Sequence, residues 1–431
     1  MATRNRVIYQ SEAVYCSQDV VFSGVQTGYR DNADLDRVQS ANYSFNISRT
    51  DVNQFGQLGA IDRIITESPS VSFDTSYLLA SMANEARLGF YVTPSGAQGP
   101  FRSCITNLTD STNNAYLRNF YILNAKEGKD ADVTLEVSDS GQYESIIGIG
   151  NAGLTSYAIE AAVGGFPSVS VSAEGMNMDF YTGPAGTGLP VGVSGSNANT
   201  RPAYYISGVS PAINPVDGTR LDPETVSVAL PAPTGNAGGT TAAKKGAGEV
   251  SVLRPGDIRL FLSKQTSDTI GTAATSTSMN NPDYAGMDIA DAHIQSFNIS
   301  FDLSRSPIEQ LGTKFAYARL IDFPITVSMG VDAVVSDLTT GSLAEIIDCD
   351  GLFDARVQLN SPNCGTAAGA GENHGVAANY ILKGIKLDSQ SFSLGMGDNK
   401  SVSLSFSSQI GGPEQSGLGL FMSGYTGDVN A

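Results

Sequence analysis

The stretch from Val38 to Thr75 occurs twice in this chain, and this repeat constrains the fold more than any other feature. The first copy begins VQSANYSFNISRTDVNQFG, and the second, Ile294 to Val331, begins IQSFNISFDLSRSPIEQLG. No gap is needed to align them, and more than a third of the 38 positions are identical, where composition alone would give roughly two or three. The sequence therefore predicts two copies of one domain, joined head to tail.

Weaker matches extend the repeat toward the C-terminal end of each copy. They pair Asp130 to Leu135 with Asp354 to Leu359, Tyr157 to Val171 with Tyr380 to Leu394, and Tyr204 to Gly208 with Leu420 to Gly424. Between the copies lies a segment rich in Gly and Pro, which is typical of a linker; a small inserted strand pair is expected in it around Thr225 to Leu230. The predicted organisation is a first domain over residues 1–208, a linker over 209–250 and a second domain over 251–431.

The repeated stretch has the alternation of a half-buried strand in both copies. Tyr43, Phe45 and Ile47 point to one face, as do Ile299, Phe301 and Leu303 at the matching positions, so we expect that face to be buried. The pattern breaks at Gly56 and Gly312 and then resumes. Each copy is predicted to form a strand, a projecting loop or long hairpin, and a returning strand.

Further elements complete a mainly β prediction. Each copy opens with a strand, Arg6 to Val14 or Ile258 to Lys264, and closes with several more. One short helix per copy is expected, at Asn114 to Leu123 and at Ser342 to Asp348, because both segments carry an apolar stripe at helical spacing. The predicted fold class is thus two tandem homologous β-sandwich or partly closed barrel domains, each with one flanking short α-helix.

Composition excludes several classes of function. A formal charge of −18 argues against a surface that grips nucleic acid by counterion release, although an acidic surface can face DNA without holding it. The four cysteines have no CxxC spacing, so reduced thiols are expected. The N-terminus lacks the apolar run of a signal peptide, and no stretch approaches 18 apolar residues; we expect a soluble protein made in a cytoplasm.

No constellation of residues predicts catalysis. The two histidines, His293 and His374, lack metal-ligand spacing. The acidic run from Asp31 to Asp36 lacks the glycine and the glutamate of a calcium loop, and Gly183 to Gly188 lacks the lysine of a phosphate-binding loop. We therefore expect no catalytic, cofactor-binding or metal-binding residues, no cofactor, and no enzyme activity.

The pattern Ser-Arg-x-x-x-x-Gln-x-Gly between two alternating strands, seen at Ser304 to Gly312, resembles the tail tube (major tail) proteins of long-tailed bacteriophages. The order of elements around it is also similar. The resemblance implies side-by-side assembly into rings that stack into a hollow tube for genome passage. It implies a virion location and, as partners, further copies of the chain, a tape-measure protein, tail terminator and baseplate proteins, and DNA that passes without specific binding.

Two alternatives remain at this point: another structural protein of a phage tail, neck or baseplate, or a receptor-binding β protein; and an enzyme on a β scaffold. Under the tail tube prediction, three duplicated chains form a ring with pseudo-sixfold symmetry, because six like domains close it. The projecting loops, Thr50 to Ser68 and Ser306 to Pro324, hold too many apolar residues for solvated loops and are expected to contact a neighbouring chain or ring. The candidate contact residues are Arg49, Val52, Phe55, Gly56, Leu58, Ile64, Arg305, Ile308, Leu311, Gly312, Phe315 and Leu320.

Overall fold

The computed structural model of the chain describes residues 12–17, 33–94, 102–109, 116–125, 143–182, 191–194, 203–207, 212–214, 218–219, 227–231, 252–264, 287–288, 294–313, 315–334, 352–360, 376–393, 401–413, 415 and 417–424. This part of the chain is mainly β, as predicted. Its strands are β1 (Glu12–Ser17), β2 (Ala33–Asp34), β3 (Val38–Asn46), β4 (Arg49–Val52), β5 (Asp62–Ile65), β6 (Ser70–Leu78), β7 (Val92–Pro94), β8 (Arg118–Ala125), β9 (Tyr143–Ala162), β10 (Ser168–Gly175), β11 (Asn177–Thr182), β12 (Val191–Ser194), β13 (Ala203–Ser207), β14 (Ser227–Pro231), β15 (Ile258–Lys264), β16 (Met287–Asp288), β17 (Ile294–Asp302), β18 (Arg305–Ile308), β19 (Ala318–Ile321), β20 (Ile325–Val334), β21 (Phe353–Asn360), β22 (Val376–Ser393), β23 (Ser401–Ile410) and β24 (Gly419–Gly424).

The two copies of the repeated stretch have the same strand pairing, residue for residue. Strand β3 pairs with β6 so that Phe45 lies opposite Val71, and β17 pairs with β20 so that Phe301 lies opposite Val327. Both pairs carry a register shift at their first residues. Between them, β4 pairs with β5 and β18 with β19, again at matching positions. The predicted strand, hairpin and returning strand are present in both copies.

Eight strands form one continuous antiparallel sheet that includes both copies, here called the long sheet. Its order is β3, β6, β10, β9, β17, β20, β23 and β22. Strands β9 and β17 join the half of the sheet from the first copy to the half from the second. Small polar residues recur on one face of every strand, since Ser44 lies opposite Ser72 and Ser328 opposite Ser407; the other face is apolar and buried.

Two smaller sheets pack on the apolar face of the long sheet. The first contains β2, β1, β8, β9 and β11, and the second contains β16, β15, β21, β22, β24 and β7. Phe73 of the long sheet contacts Phe120 of β8, with ring centroids 4.7 Å apart. One apolar core cluster runs through both halves of the chain, which is the two-layer arrangement that buries an apolar sheet face.

Strands β9 and β22 each belong to the long sheet and to a smaller sheet, and each changes sheet at a residue with left-handed backbone. In β9 this residue is Asn151 (φ 53°), and in β22 it is Gly384 (φ 67°). Asn tolerates this conformation better than most residues with a side chain. A Cβ at Gly384 would lie 2.6 Å from Leu418 Cδ1, so both conformation and space favour glycine at this bend.

The predicted helix at Asn114 to Leu123 is wrong, because Arg118–Ala125 forms strand β8 between β1 and β9. Both faces of β8 are covered, so its apolar residues form a continuous run that periodicity cannot assign to a helix or a strand. The described α-helix is instead α1 (Ala83–Leu88), which is ended by Gly89 in the left-handed conformation. Two short 3-10 helices, Thr106–Leu108 and Pro255–Asp257, are also present in the described residues. The predicted helix at Ser342 to Asp348 lies outside the described residues.

Two of the three later sequence matches do not mark equivalent positions. Tyr157 lies opposite Val171 in the long sheet, whereas Tyr380 lies opposite Val357 and Met422 in a smaller sheet. By its pairing, β24 corresponds to β11, while β13, which contains Tyr204, pairs with β12 and β14 in a separate sheet. The matches arose because Tyr and Ser residues recur at different places in the two halves of the chain. The Asp130 match lies outside the described residues, as does the opening strand before Glu12, whereas β15 begins and ends as predicted.

Candidate assembly interface

The junction between the two halves of the chain is a strand pair reinforced by aromatic packing. Strand β17 pairs with β9 so that Phe301 lies opposite Tyr157, and the Leu303 N–H donates to the Thr155 carbonyl oxygen at 2.7 Å. The Phe301 ring stacks on Tyr157, with centroids 5.4 Å apart, and meets Phe90 edge-on at 6.0 Å. Ile299 and Phe301 of β17 are therefore buried where the two halves of the chain meet.

The matching residues of β3 have no such cover. Tyr43 is 38% exposed where Ile299 is 0% exposed, and Phe45 is 46% exposed where Phe301 is 3% exposed. The difference follows from position, because β17 has a neighbour on both sides, whereas β3 pairs along its length with β6 alone in the described residues. The expectation that this apolar stripe is buried is confirmed for β17 and wrong for β3, which is the edge strand of the long sheet.

The other edge of the long sheet is the second half of β22, from Lys386 to Ser393. In the described part of the chain this segment pairs with β23 alone. Phe392 is exposed on it, and the buried side-chain nitrogen of Gln390 has no hydrogen-bond partner among the described residues. An open edge that presents an apolar ring and an unsatisfied amide is suited to pairing with another strand.

The register shows that this open edge of β22 corresponds to the edge of β9 that β17 occupies. Leu154 of β9 lies opposite Ala173, which lies opposite Phe73. Leu387 of β22 lies opposite Phe406, which lies opposite Met329, and the repeat matches Met329 with Phe73. Both strands also carry a register shift at this place. The open edge of β3 is therefore equivalent to the edge of β17 that pairs with β9. The open edge of β22 is equivalent to the edge of β9 that pairs with β17.

Arg305 fixes the second hairpin to the internal junction. Its Nε donates to the Leu154 carbonyl oxygen and its Nη1 to the Arg319 carbonyl oxygen, both at 2.8 Å. Burial lowers the pKa of Arg305 to about 10, with a further contribution from the nearby charges of Arg118 and Arg319. Arg319 is held in turn by Glu174, whose Oε1 lies 2.8 Å from its Nη1. The base of this hairpin is therefore anchored on the first half of the chain.

Arg49, the repeat equivalent of Arg305, begins the first hairpin and is exposed. Arg63, the equivalent of Arg319, pairs with Asp51 of its own hairpin at 2.6 Å. The first hairpin thus has the same residues at its base, but in the described part of the chain they are exposed or paired within the hairpin itself. Arg49 and Arg305 occupy equivalent places in their hairpins, as the repeat predicts. No local pattern in the sequence distinguishes the arginine that is buried against the chain from the one that is exposed.

The ends of the two hairpins are the most exposed apolar groups of the described structure. Gly56 and Gly312 take left-handed backbone, with φ of 88° and 92°, as a tight turn needs. The side chains of Phe55, Leu58 and Leu311, here called the hairpin tips, are fully exposed. Among the other candidate contact residues, Ile64, Ile308 and Leu320 are exposed, whereas Val52 and Phe315 are half-buried.

The two hairpins lie next to each other. The Ser68 hydroxyl, at the end of the first hairpin, is 3.4 Å from Glu309 Oε1 in the second. The structure therefore brings the sequence-predicted contact residues of both copies to one end of the long sheet. Tyr43, Phe45 and Phe392 were not among the predicted contact residues. The alternation of β3 predicts Tyr43 and Phe45 to be core residues, and no sequence pattern marks Phe392.

Other kinds of site find little support. Across the described residues, no three His, Cys, Asp or Glu side chains lie close enough together to hold a metal ion. Asp36, at the end of the acidic run, pairs with Arg87 at 2.8 Å. Among the helices of the described structure, none has the length and apolar character needed to cross a membrane.

No protein-family model matches the chain, and no curated protein matches it either. Among solved structures, the chain is similar to the SPP1 tail tube, a structure that combines solid-state NMR with cryo-EM. The similarity covers 41% of this chain and 81% of that chain, with 12% sequence identity and a TM-score of 0.24. At so low a TM-score, the function has to be argued from the contacts within this chain.

Proposed function

We propose that the chain is a structural protein of a phage tail tube, in which three copies close into a ring and rings stack into a hollow tube. The observation that carries the proposal is the contrast between the two halves of the repeat. The apolar stripe of β17 is buried against β9. The same stripe of β3 is exposed at one edge of the long sheet, and the open edge of β22, which is equivalent to β9, lies at the other.

Repetition of the internal junction between chains gives a defined contact. In that contact β3 pairs with β22 of the next chain, with Phe45 opposite Gln390 and Tyr43 opposite Phe392. Arg49 takes the role of Arg305 and donates to the Leu387 carbonyl oxygen of the next chain. Such a contact is heterologous, since each chain uses two different edges, and heterologous contacts close into rings when the rotation per step allows it.

A ring of three chains contains six like units, because each chain carries two copies of the repeat. Each chain supplies eight strands to the long sheet. With strands about 4.8 Å apart and tilted by about 40°, a closed sheet from three chains has a backbone diameter of roughly 45–50 Å. A bore of this size admits a DNA duplex after the side chains of the wall are subtracted.

The polar face of the long sheet is suited to line that bore. Its strands present mostly Ser and Asn there, for example Ser44, Ser170 and Ser300. Charged groups on this face of the described strands include five carboxylates and one lysine: Asp74, Glu160, Glu174, Asp302, Asp332 and Lys386. A net acidic wall repels the phosphate backbone, so DNA slides along it without being held.

The test is the state of the purified chain. Native mass spectrometry should find a smallest closed assembly with the mass of three chains, each 45.0 kDa. Electron microscopy should show rings or tubes with a central bore and pseudo-sixfold symmetry. A chain that stays monomeric at every concentration tested, or a closed ring of six full-length chains, would overturn the proposal.

A further inference from the structure

We propose that the apolar hairpin tips of one ring dock on the β9–β10 turn (residues 163–167) of a chain in the next ring. The proposed contact gives each side of the ring a partner surface on the next ring. The proposal rests on the ring proposed above. The hairpin tips and this turn are exposed apolar groups that lie at opposite ends of the long sheet.

Strand register fixes these opposite ends. Both hairpins leave the sheet at the end where Asn46 lies opposite Ser70 and Asp302 lies opposite Ser156. The β9–β10 turn lies at the other end, where Ser168 lies opposite both Leu78 and Glu160. The eight-residue strand β10 separates these ends by roughly 25 Å. When chains stand side by side in a ring, the hairpins project from one side and the turns from the other.

The β9–β10 turn has exposed apolar side chains, and hydrogen bonds hold its backbone in place. Val163 is 65% exposed and Phe166 is 57% exposed. The Gly165 N–H donates to the Ala162 carbonyl oxygen at 3.0 Å, and the Val163 N–H donates to the Gln295 carbonyl oxygen at 2.8 Å. A surface that is already ordered loses little conformational entropy when a partner binds.

The hairpin tips are the complementary group. Phe55, Leu58 and Leu311 have no cover within the described structure, and exposed apolar groups of this size usually mark an interface. The turn of a second copy fits them because a contact between opposite ends is heterologous and does not close, so it extends a stack without limit. Each such contact is small, but a ring repeats it on every chain, and linked contacts reinforce one another.

Two variants separate this stacking contact from ring formation. The tip variant replaces Phe55, Leu58 and Leu311 by Ser, and the turn variant replaces Val163 and Phe166 by Ser. All five residues are exposed in the single chain, so both variants should keep the thermal unfolding midpoint of the wild type. Each should form rings of three chains by native mass spectrometry and no tubes by electron microscopy. As a matched control, Phe180→Ser changes a ring that is also 57% exposed, on β11, and should leave tubes intact.

A mixture of the two variants gives the decisive result. One side of each ring is still competent, so the tip variant and the turn variant together should form stacks of two rings and stop there. Tubes made by the turn variant alone would overturn the proposal, because the turn would then not be needed. Two-ring stacks made by the turn variant alone would also overturn it, because tips would then contact tips. Absence of rings in the wild type would instead overturn the proposed function, and the stacking contact with it.

Discussion

The hydroxyl groups of Tyr157 and Tyr380 lie 2.8 Å apart and fully buried, and they join the two halves of the chain. Tyr157 also lies 3.2 Å from Glu85 Oε1, to which Tyr77 donates at 2.8 Å. Strands β6 and β9 and helix α1 therefore meet at one buried carboxyl group, and β22 is linked to it through Tyr157. A polar network of this kind fixes the relative position of the elements that share it, since each of its members is costly to leave unsatisfied.

The first prediction concerns pH. Burial raises the pKa of Glu85 from 4.5 to about 7, although hydrogen bonds from Tyr77 and Tyr157 and the charge of Arg87 act in the opposite direction. A raised pKa means that the folded chain binds the proton more tightly than the unfolded chain does. This contribution to stability is fully present below about pH 4.5 and is lost as the pH rises to about 7.

Glu85→Gln should remove this pH dependence, because a neutral amide resembles the protonated carboxyl at every pH. Between pH 4.5 and 8, the free energy of unfolding of the wild type should fall relative to that of the variant by roughly 3 kcal/mol. Denaturant unfolding of both proteins across this range measures the difference, and the comparison cancels the titration of other carboxylates. Parallel curves for the two proteins would show that Glu85 does not titrate in this window.

The second prediction concerns the link between the two tyrosines. Tyr380→Phe removes one hydroxyl and leaves that of Tyr157 with its contact to Glu85, so the free energy of unfolding should fall by about 1 kcal/mol. Tyr157→Phe should cost more, because it also removes a contact with the carboxyl group. A double-mutant cycle from denaturant unfolding should give a coupling of about 0.5–1 kcal/mol; strictly additive effects would contradict the hydrogen bond.

The repeated strands could be predicted from the sequence down to the register. The gapless match carries Phe45 and Phe301 to the same place in their strand pairs, and a period of two residues determines which side chains share a face. The helix at Asn114 to Leu123 could not be told from a strand. Its apolar residues are buried on both faces, and a continuous apolar run has no period that distinguishes the two.

The open edges could not be predicted at all. Tyr43 and Ile299 occupy the same position of the same pattern, and they differ in exposure only because β9 lies beside one and not beside the other. That neighbour comes from a strand more than a hundred residues away along the chain from each of them. Local sequence encodes which face is apolar; which copy of the face is covered depends on the order of strands in the sheet.

The third prediction tests the open edge of β3. Phe45→Asp places a charge where the proposed contact buries a ring, so the chain should stay folded and monomeric. Ser44→Asp is the matched control, because it adds the same charge one residue away on the polar face and should leave rings intact. Sedimentation of both variants measures the outcome. Rings formed by Phe45→Asp would show that chains associate through another surface.

The fourth prediction compares two arginines that are equivalent in the repeat. Arg305 is bonded within the chain to the Leu154 and Arg319 carbonyl oxygens, so Arg305→Ala should lower the free energy of unfolding of the single chain by roughly 2–4 kcal/mol. Arg49 is exposed in the single chain, and its proposed acceptor is the Leu387 carbonyl oxygen of the next chain. Arg49→Ala should therefore leave the stability of the single chain unchanged within about 0.5 kcal/mol.

The effect of Arg49→Ala should appear instead in the ring. Loss of one charged hydrogen bond per contact should raise the concentration at which rings dissociate by about 10-fold or more, measured by mass photometry on dilution. Arg63→Ala is the control in the same hairpin, since Arg63 already pairs with Asp51 of its own chain and should change the ring little. Equal losses from Arg49→Ala and Arg63→Ala would show that the base of the first hairpin acts through its charge alone, without the bond that Arg305 makes at the internal junction.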